Sequence, residues 1–403
     1  MTVASEFAID VAVIGGGGHV GLPLAIGLAD RGSSVVIYDI NQATVDKINA
    51  GIVPFLEPGA EPKLKDALAK DLLTASTDPS VVASAEHVIV VIGTPVDEHL
   101  NPDPNAIPTA LADAAEHFRD GQILILRSTI FPGVTALVER MVADMGLDID
   151  VAFCPERIAE HRAMEELFTL PQIVSARTER GRERAARLFS TLTDEIVHLS
   201  PEEAELAKLF TNTWRYIKFA AANQFYMMAN DRGLDFERIR EGLSRNYPRA
   251  QDIPGAGFAA GPCLFKDTMQ LAAFSDNTFA LGHSAMLVNE GLPLYVVTQL
   301  EKKHNLGQLT VGILGMAFKG GSDDIRSSLS YKLRRVLKFK AKAVLCTDPY
   351  VTEDTDPSLL PLDAVLEKAD ILIIATPHPE YRGLQTDKPV ADVWNLLGRG
   401  VVV

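Results

Sequence analysis

The feature that most constrains the fold is a glycine-rich turn, Gly15–Gly21, that directly follows an apolar segment, Ile9–Ile14. Glycines at this spacing let backbone amides approach a pyrophosphate at the start of a helix. Asp39 ends the next apolar segment, where its carboxylate can accept hydrogen bonds from both ribose hydroxyls and would repel a 2′-phosphate. The pattern predicts a strand–helix–strand unit that binds NAD rather than NADP, although glycines can also serve close strand–helix packing. The predicted cofactor-binding residues of this unit are Gly16, Gly18, His19, Val20, Gly21 and Asp39.

Apolar segments bounded by Gly, Pro or Asp alternate with helical patterns at both ends of the chain, whereas the middle is helical. This predicts an α/β protein with two Rossmann-like doubly wound domains, joined by a central all-helical domain with a long connecting helix. We expect three domains, at 1–200, 201–305 and 306–403, and the first of them contains the predicted NAD-binding turn. The predicted long helical segments are Glu202–Arg232 and Asp267–Glu301, the second interrupted by Gly291 and Pro293.

The composition and net charge of the chain indicate which kinds of partner it can bind. The formal net charge of −15 disfavours nucleic acid, so a phosphate ligand must be held by local amides and a few cations. No apolar run is long enough to span a membrane, and the N-terminus does not resemble a signal peptide, which predicts a cytoplasmic protein without a membrane partner. The three cysteines lack the spacing of a disulfide framework or a zinc site, and we expect no metal.

One cysteine has the surroundings of a nucleophile. Cys263 lies in a loop of small residues, and Lys266 and Asp267 follow it at the start of a predicted helix. A helix N-terminus and a lysine favour the thiolate, and a carboxylate can activate water. A small buried thiol is the alternative. Cys346 is expected in the core and Cys154 along the cleft.

Two further groups of polar residues are candidates. Lys208 and Asn212 are four residues apart and share one face of a predicted helix. The segment Pro155–Glu160 follows a strand, at the edge where open α/β sheets bind ligands. Ordinary solvent-exposed charge is the alternative for both.

These segments together resemble the UDP-glucose/GDP-mannose dehydrogenase family over essentially the whole chain. The matching stretches occur in the family's order and are Gly21–Ala25, Gly93–Pro95, Ser128–Gly133, Cys154–Arg157, Lys208 with Asn212, Cys263 with Lys266 and Asp267, Val288–Glu290 with Pro293, Leu314–Lys319 and Asp323–Ser327.

The resemblance implies that 1–200 is an NAD-binding domain, 201–305 a helical dimerisation domain and 306–403 a nucleotide-sugar-binding domain. It also implies a role for each matching residue. Cys263 would be the nucleophile, Lys208 and Asn212 would stabilise the substrate oxygen, and Asp267 would assist water. A proton network would be completed by Thr129, Glu156 and Glu160. Further cofactor-binding residues would be Thr94, Pro95, Thr129, Lys266 and Arg326. The substrate-binding residues would be Glu156, Arg157, Glu160, Lys208, Asn212, Arg249, Phe258, Gly261 and Lys319.

The implied function is a four-electron oxidation of the sugar 6-hydroxyl of a nucleotide sugar to the uronate, through a cysteine thiohemiacetal and thioester, by a homodimer. UDP-glucose is the first expectation. Alternatives are UDP-N-acetyl-D-mannosamine, another UDP-N-acetylhexosamine or dTDP-glucose. A non-catalytic sensor of NAD or a nucleotide sugar, and a two-electron alcohol dehydrogenase, are the alternatives of other classes. Ala260 and Pro262 depart from the family pattern beside Cys263, and no arginine follows Asp392 as in many UDP-glucose enzymes.

Overall fold

The structure is a computed structural model that describes residues 7–94, 96–97, 102–401 and 403. The chain packs as two compact units, one ending at Phe210 and the other beginning at Thr211. Each unit contains a largely parallel sheet, so the predicted α/β class is confirmed. The proposed domain boundaries at residues 200 and 305 stay a prediction.

The first unit is built on an eight-stranded sheet with the order β3-β2-β1-β4-β5-β6-β7-β8. Neighbouring strands are parallel except β6 and β7, which are antiparallel. The order reverses between β1 and β4, which is where open sheets of this kind bind ligands. The strands are β1 (Ile9–Ile14), β2 (Val35–Tyr38), β3 (Leu73–Ser76), β4 (Ala85–Val90), β5 (Ile123–Leu126), β6 (Asp150–Phe153), β7 (Gln172–Ala176) and β8 (Ile196–Leu199).

Helices cover both faces of this sheet, so the buried parts of its central strands, such as Val11–Ile14 and Ile123–Leu126, are apolar. One buried cluster joins Val13 and Leu24, and another joins Leu126, Phe153 and Val138. The helices are α1 (Gly21–Asp30), α2 (Gln42–Asn49), α3 (Ala60–Ala69), α4 (Ala106–Ala112), α5 (Val134–Asp144), α6 (Ala163–Thr169) and α7 (Glu179–Phe189).

The middle of the chain is helical, as predicted, but one helix boundary differs. The helices are α8 (Pro201–Asn230), α9 (Phe236–Ser244), α10 (Leu264–Phe274) and α11 (Ala280–Lys303). The predicted interruption at Gly291 and Pro293 is wrong, since α11 continues through Pro293. The break lies earlier, because Asp276 and Asn277 adopt left-handed backbone angles and the Asn277 amide donates to the Ala272 carbonyl at 2.8 Å, which ends α10.

A four-stranded parallel sheet closes the second unit, with the order β10-β9-β11-β12. Its elements are β9 (Thr310–Leu314), α12 (Leu329–Lys340), β10 (Ala343–Thr347), α13 (Leu362–Lys368), β11 (Ile371–Ile374) and β12 (Val390–Ala391). Among the described residues of both units, no helix is long and apolar enough to cross a membrane.

Candidate functional site

The glycine-rich turn after β1 has the shape of a phosphate cradle. A Cβ on Gly21 would lie 2.7 Å from the Gly16 Cα atom, so the two backbones touch where α1 begins. A Cβ on Gly18 would meet no heavy atom within 4 Å, so the turn is open on that side. A pyrophosphate at a helix N-terminus needs this combination of a tight turn and an open face, and the cradle therefore fits NAD.

Asp39 is tied to the same turn by its carboxylate. Its Oδ2 accepts a hydrogen bond from the Gly17 amide at 2.9 Å, and its Oδ1 accepts one from the Asn41 amide at 3.0 Å. Each oxygen keeps a second lone pair for a ribose hydroxyl. His19 stacks on Phe55, with ring centroids 4.0 Å apart, and Val20 is the residue before α1.

The turns after β4 and β5 meet beside this cradle. The hydroxyl of Thr94 donates to the Thr129 carbonyl at 2.5 Å, and the Ile92 amide donates to the Ser128 hydroxyl at 2.8 Å. The structure thus brings together two predicted cofactor residues from neighbouring strands. Pro95, also predicted there, lies outside the described residues.

A buried arginine that the sequence analysis missed organises the neighbouring edge of the sheet. Arg127 is 1% exposed and forms an ion pair with Glu156. It also donates to the Gln172 side-chain oxygen and the Cys154 carbonyl, both at 3.0 Å, and stacks 4.6 Å from the centre of the Phe189 ring. The available signal was a charged residue directly after a buried strand, which requires a buried partner.

Both carboxylate oxygens of Glu156 are occupied within the first unit. Oε2 faces Arg127, and Oε1 accepts from the amides of Arg157 at 2.6 Å and Ile158 at 2.9 Å. The Arg157 guanidinium donates to the Pro171 carbonyl, and burial lowers the pKa of Arg157. This geometry gives Glu156 a structural partner, and its predicted part in proton transfer stays a prediction.

The turn that carries Glu160 is held by another residue that the sequence analysis missed. Glu57, 7% exposed, accepts from the His161 amide at 2.9 Å and from the Met164 amide at 3.4 Å. His161 has a φ of 64°, which is uncommon for a residue with a side chain. No local sequence pattern around Glu57 predicts this contact, because the contact joins segments about a hundred residues apart in the chain.

Lys208 is buried in the early part of α8, which is fixed by its neighbour Glu205. The Glu205 carboxylate accepts from the Gly133 amide at 2.7 Å and from the Thr135 amide at 2.9 Å, and so satisfies the start of α5. Lys208 belongs to the first unit, and its predicted action on the substrate oxygen stays a prediction.

In the second unit, Cys263 occupies the position before α10 and is exposed. The Asp267 amide donates to its carbonyl at 2.8 Å, so the thiol sits at a helix N-terminus, which favours the thiolate. Cys154 and Cys346 are buried, and burial raises their pKa values to about 12 and about 11. The expectation that Cys154 lines the cleft is wrong, since it packs in the core without exposure.

Three predicted residues meet one turn beyond Cys263. Asp267 has no exposed surface, and its Oδ2 accepts from the Asn212 side-chain amide at 2.6 Å. The Lys266 ammonium lies 3.3 Å from Asp267 Oδ1. A buried carboxylate held between an amide and a cation therefore lies one helical turn from the exposed thiol.

Two buried asparagines that the sequence analysis missed support the loop before Cys263. Asn223 donates to the Gly257 carbonyl at 3.0 Å and accepts from the Gly257 amide at 2.9 Å. It also donates to Asn289 Oδ1 at 2.9 Å, and Asn289 donates to the Tyr216 carbonyl at 3.0 Å. Satisfied buried networks of this kind fix one backbone conformation.

Two aromatic rings lie flat against this loop. A Cβ on Gly257 would overlap the Trp394 indole, and one on Gly261 would lie 2.6 Å from the Phe318 ring. Phe258, predicted to contact substrate, is buried and packs edge to face on Trp394 with centroids 6.5 Å apart. Gly261 and Phe258 thus have packing roles, and their contact with substrate stays a prediction.

Arg249, Arg326 and Lys319 are the remaining predicted residues of the second unit. The Arg249 guanidinium lies 4.8 Å from the centre of the Tyr247 ring on the surface. Arg326 is exposed and pairs with Asp324 at 2.6 Å. Lys319 lies in the turn after β9. In the described parts of the chain, no cluster of His, Cys, Asp and Glu suits a metal ion.

Comparison with known proteins assigns three segments of the chain to one protein family. Models of the UDP-glucose/GDP-mannose dehydrogenase family match residues 9–193 as the NAD binding domain, 202–290 as the central domain and 312–399 as the UDP binding domain. A UDP-N-acetyl-D-mannosamine dehydrogenase from Pyrococcus horikoshii is 30% identical over 403 residues, covering 97% of this chain and 93% of the relative.

Solved structures agree with the sequence relatives. A UDP-D-ManNAc dehydrogenase from Pyrococcus horikoshii superposes with a TM-score of 0.90 at 30% identity, covering 98% of this chain and 97% of the other. A UDP-glucose dehydrogenase from the hyperthermophilic archaeon Pyrobaculum islandicum superposes with a TM-score of 0.89 at 29% identity, covering 97% and 95%. A UDP-N-acetyl-mannosamine dehydrogenase from Staphylococcus aureus gives 0.86 at 26% identity, covering 98% and 97%.

Proposed function

The chain belongs to the UDP-glucose/GDP-mannose dehydrogenase family, and from that premise we propose that it oxidises the 6-hydroxyl group of UDP-N-acetyl-D-mannosamine to the carboxylate. It is an NAD-dependent oxidoreductase that acts on a nucleotide sugar. The relatives named for UDP-N-acetyl-D-mannosamine support the acetamido sugar over UDP-glucose, which the sequence alone put first.

The observation that carries the reaction type is the arrangement around Cys263. A simple alcohol dehydrogenase or a binding protein needs no nucleophile, whereas oxidation to the acid requires a covalent adduct that can lose a second hydride. Here an exposed thiol at a helix N-terminus is followed by a buried carboxylate.

The glycine-rich turn and Asp39 would hold NAD, which would supply the hydride acceptor for both oxidations. The first oxidation removes a hydride and the hydroxyl proton from the substrate and leaves an aldehyde. The Cys263 thiolate adds to the aldehyde carbon while the oxygen takes a proton from water, which gives a thiohemiacetal. Loss of a hydride and of that proton from the adduct leaves a thioester. Asp267 takes a proton from the water that attacks the thioester carbon, which releases the carboxylate and returns the thiolate. Asn212 holds Asp267 in place at 2.6 Å, and Lys208 supplies positive charge to the substrate oxygen.

UDP-glucose is the second candidate, supported by the Pyrobaculum islandicum structure. The test incubates the purified protein with a panel of UDP-N-acetylhexosamines, UDP-glucose and dTDP-glucose. We expect two NADH per uronate and the highest kcat/KM for UDP-N-acetyl-D-mannosamine. A higher value for UDP-glucose would overturn the substrate assignment, and one NADH with an aldehyde product would overturn the reaction.

We also propose a homodimer formed by the middle helices. In α8, Trp214 is 57% and Met228 is 59% exposed, and in α11, Leu287 is 68% exposed. Exposed apolar side chains on neighbouring stretches of helix mark association surfaces. Light scattering coupled to size exclusion should give twice the 43.7 kDa chain mass, and a monomer at micromolar concentration would contradict the proposal.

A further inference from the structure

The turn after β9, which we call the Lys319 turn (residues 315–321), is fixed by buried groups from the next strands. Asp348, which follows β10, accepts from the Met316 amide at 2.6 Å and the Ala317 amide at 2.9 Å. The Met316 and Ala317 amides are therefore held by a carboxylate of the protein itself. Lys319 follows them in the same turn and carries the positive charge that a diphosphate would need.

His378 fixes the far end of the same turn. It is fully buried, and its Nδ1 accepts from the Gly321 amide at 3.1 Å, because an amide can only donate. The ring hydrogen is therefore on Nε2, which donates to Asp348 Oδ2 at 3.0 Å. One neutral imidazole thus connects the beginning of the Lys319 turn, through Asp348, with its end at Gly321.

The backbone next to Lys319 is constrained from a second side. A Cβ on Gly320 would overlap the Pro377 carbonyl, one residue before His378. The Thr376 hydroxyl donates to the Ala317 carbonyl at 2.6 Å, and the Phe318 amide donates to the Asp324 carbonyl at 2.9 Å. The segment after β11 therefore contacts the Lys319 turn at two points, Thr376 at Ala317 and Pro377 at Gly320.

We propose that His378 is a positioning residue for nucleotide-sugar binding: it holds Gly321 and Asp348 so that the Lys319 turn presents its lysine to the diphosphate. The inference rests on the proposed function, in which this unit binds the nucleotide part of the substrate. His378 touches the turn and not the reacting carbon, so its loss acts on substrate affinity and not on the chemical step.

Two substitutions separate the two hydrogen bonds of His378. His378→Asn places an acceptor oxygen near the Nδ1 position, so it keeps the Gly321 bond and loses the bond to Asp348. His378→Gln reaches Asp348 with a donor and leaves the Gly321 amide without its acceptor. We expect the Gln variant to raise KM for the nucleotide sugar about tenfold, the cost of one buried donor left unsatisfied, with the Asn variant closer to wild type.

A steric variant tests the same turn without changing His378. Gly320→Ala pushes the turn away from Pro377 and should also raise KM for the nucleotide sugar, while KM for NAD and kcat stay within twofold. Tyr350→Phe is the matched control, since its hydroxyl donates to the Glu380 carboxylate and its ring centre lies 5.2 Å from that of His378. It removes a polar group beside His378 whose hydrogen bond goes to Glu380 and not to the Lys319 turn.

The outcomes are distinct. An unchanged KM for the nucleotide sugar in His378→Gln and Gly320→Ala, or equal changes in KM for NAD, would overturn the positioning role. A fall in kcat with melting temperature and no change in KM would also overturn it. Failure of the proposed function is separate, because the wild-type protein would then oxidise none of the nucleotide sugars.

Discussion

The side-chain amide of Asn212 donates to Oδ2 of Asp267 at 2.6 Å, and both residues are buried although the nearby Cys263 is exposed. The carboxylate is thus kept from bulk solvent one helical turn from the thiol that we propose as the nucleophile. This arrangement suits the proposed role of Asp267, which is to activate the water that hydrolyses the thioester on Cys263.

Asp267→Asn should separate oxidation from hydrolysis. Without the base, the thioester on Cys263 forms but is released slowly, so stopped-flow traces should show a burst of NADH followed by a rate at least about a hundredfold lower than that of the wild type. Intact mass spectrometry should detect the acyl group. The control is Asp252→Asn, an exposed aspartate paired with Lys218 at 3.3 Å. An unchanged steady-state rate would exclude Asp267 as the base.

Thiol labelling should be confined to Cys263. Cys154 and Cys346 are buried, and because their pKa values are raised to about 12 and about 11 they stay protonated at pH 8. Iodoacetamide at pH 8 should modify one site, identified by peptide mapping, and abolish activity at the same rate. Cys346→Ala should label identically, whereas rapid labelling of Cys154 in the folded protein would contradict this assignment of reactivity.

The Arg127–Glu156 pair should govern stability. Arg127→Met leaves a buried carboxylate unpaired, which typically costs roughly 3–5 kcal/mol. Glu156→Gln keeps an acceptor and should cost less. If Glu156 is structural, this variant melts lower but keeps its kcat per folded molecule. A kcat lost with an unchanged melting temperature would instead support the predicted proton-transfer role. Urea denaturation followed by circular dichroism, together with NADH assays, provides both readouts.

Asp348 should contribute a pH-dependent part of the stability. Burial alone would raise the pKa of this carboxyl, but hydrogen bonds from His378 and from the Ala317 and Tyr350 amides lower it below the ordinary value. Its contribution is therefore present above the unfolded pKa of about 3.9 and is lost as pH falls through the lowered folded pKa. The unfolding free-energy difference between wild type and Asp348→Asn should shrink from pH 6 to pH 3. A constant difference would contradict this.

Local patterns predicted the strands β1 and β2, the glycine-rich turn after β1 and the cysteine before a helix. Gly16, Gly18, Asp39 and Cys263 are short-range signals, because a strand followed by glycines or a cysteine before a helix is visible within a few residues. The α/β–helices–α/β plan followed from the same local periodicity, and the structural neighbours confirm it.

What sequence reasoning missed depends on contacts between distant segments. Glu57 with His161, Asn223 with Gly257 and Asp348 with His378 are pairs that only the folded backbone brings together. The helix break occurs after α10, where Asp276 and Asn277 adopt left-handed backbone angles. It does not occur at Gly291 and Pro293, where the sequence predicted it, because α11 continues through both residues. Such outcomes are decided by packing and not by local propensity.

The rings against Gly257 and Gly261 limit how this chain can change. A side chain at Gly257 needs a smaller residue at position 394, and one at Gly261 needs a smaller residue at position 318. The loop before the nucleophile and the last third of the chain therefore cannot vary independently. A chimera that exchanges the C-terminal α/β segment between relatives must also exchange the loop before Cys263. Otherwise the residues at 257 and 261 will not pack against those at 394 and 318.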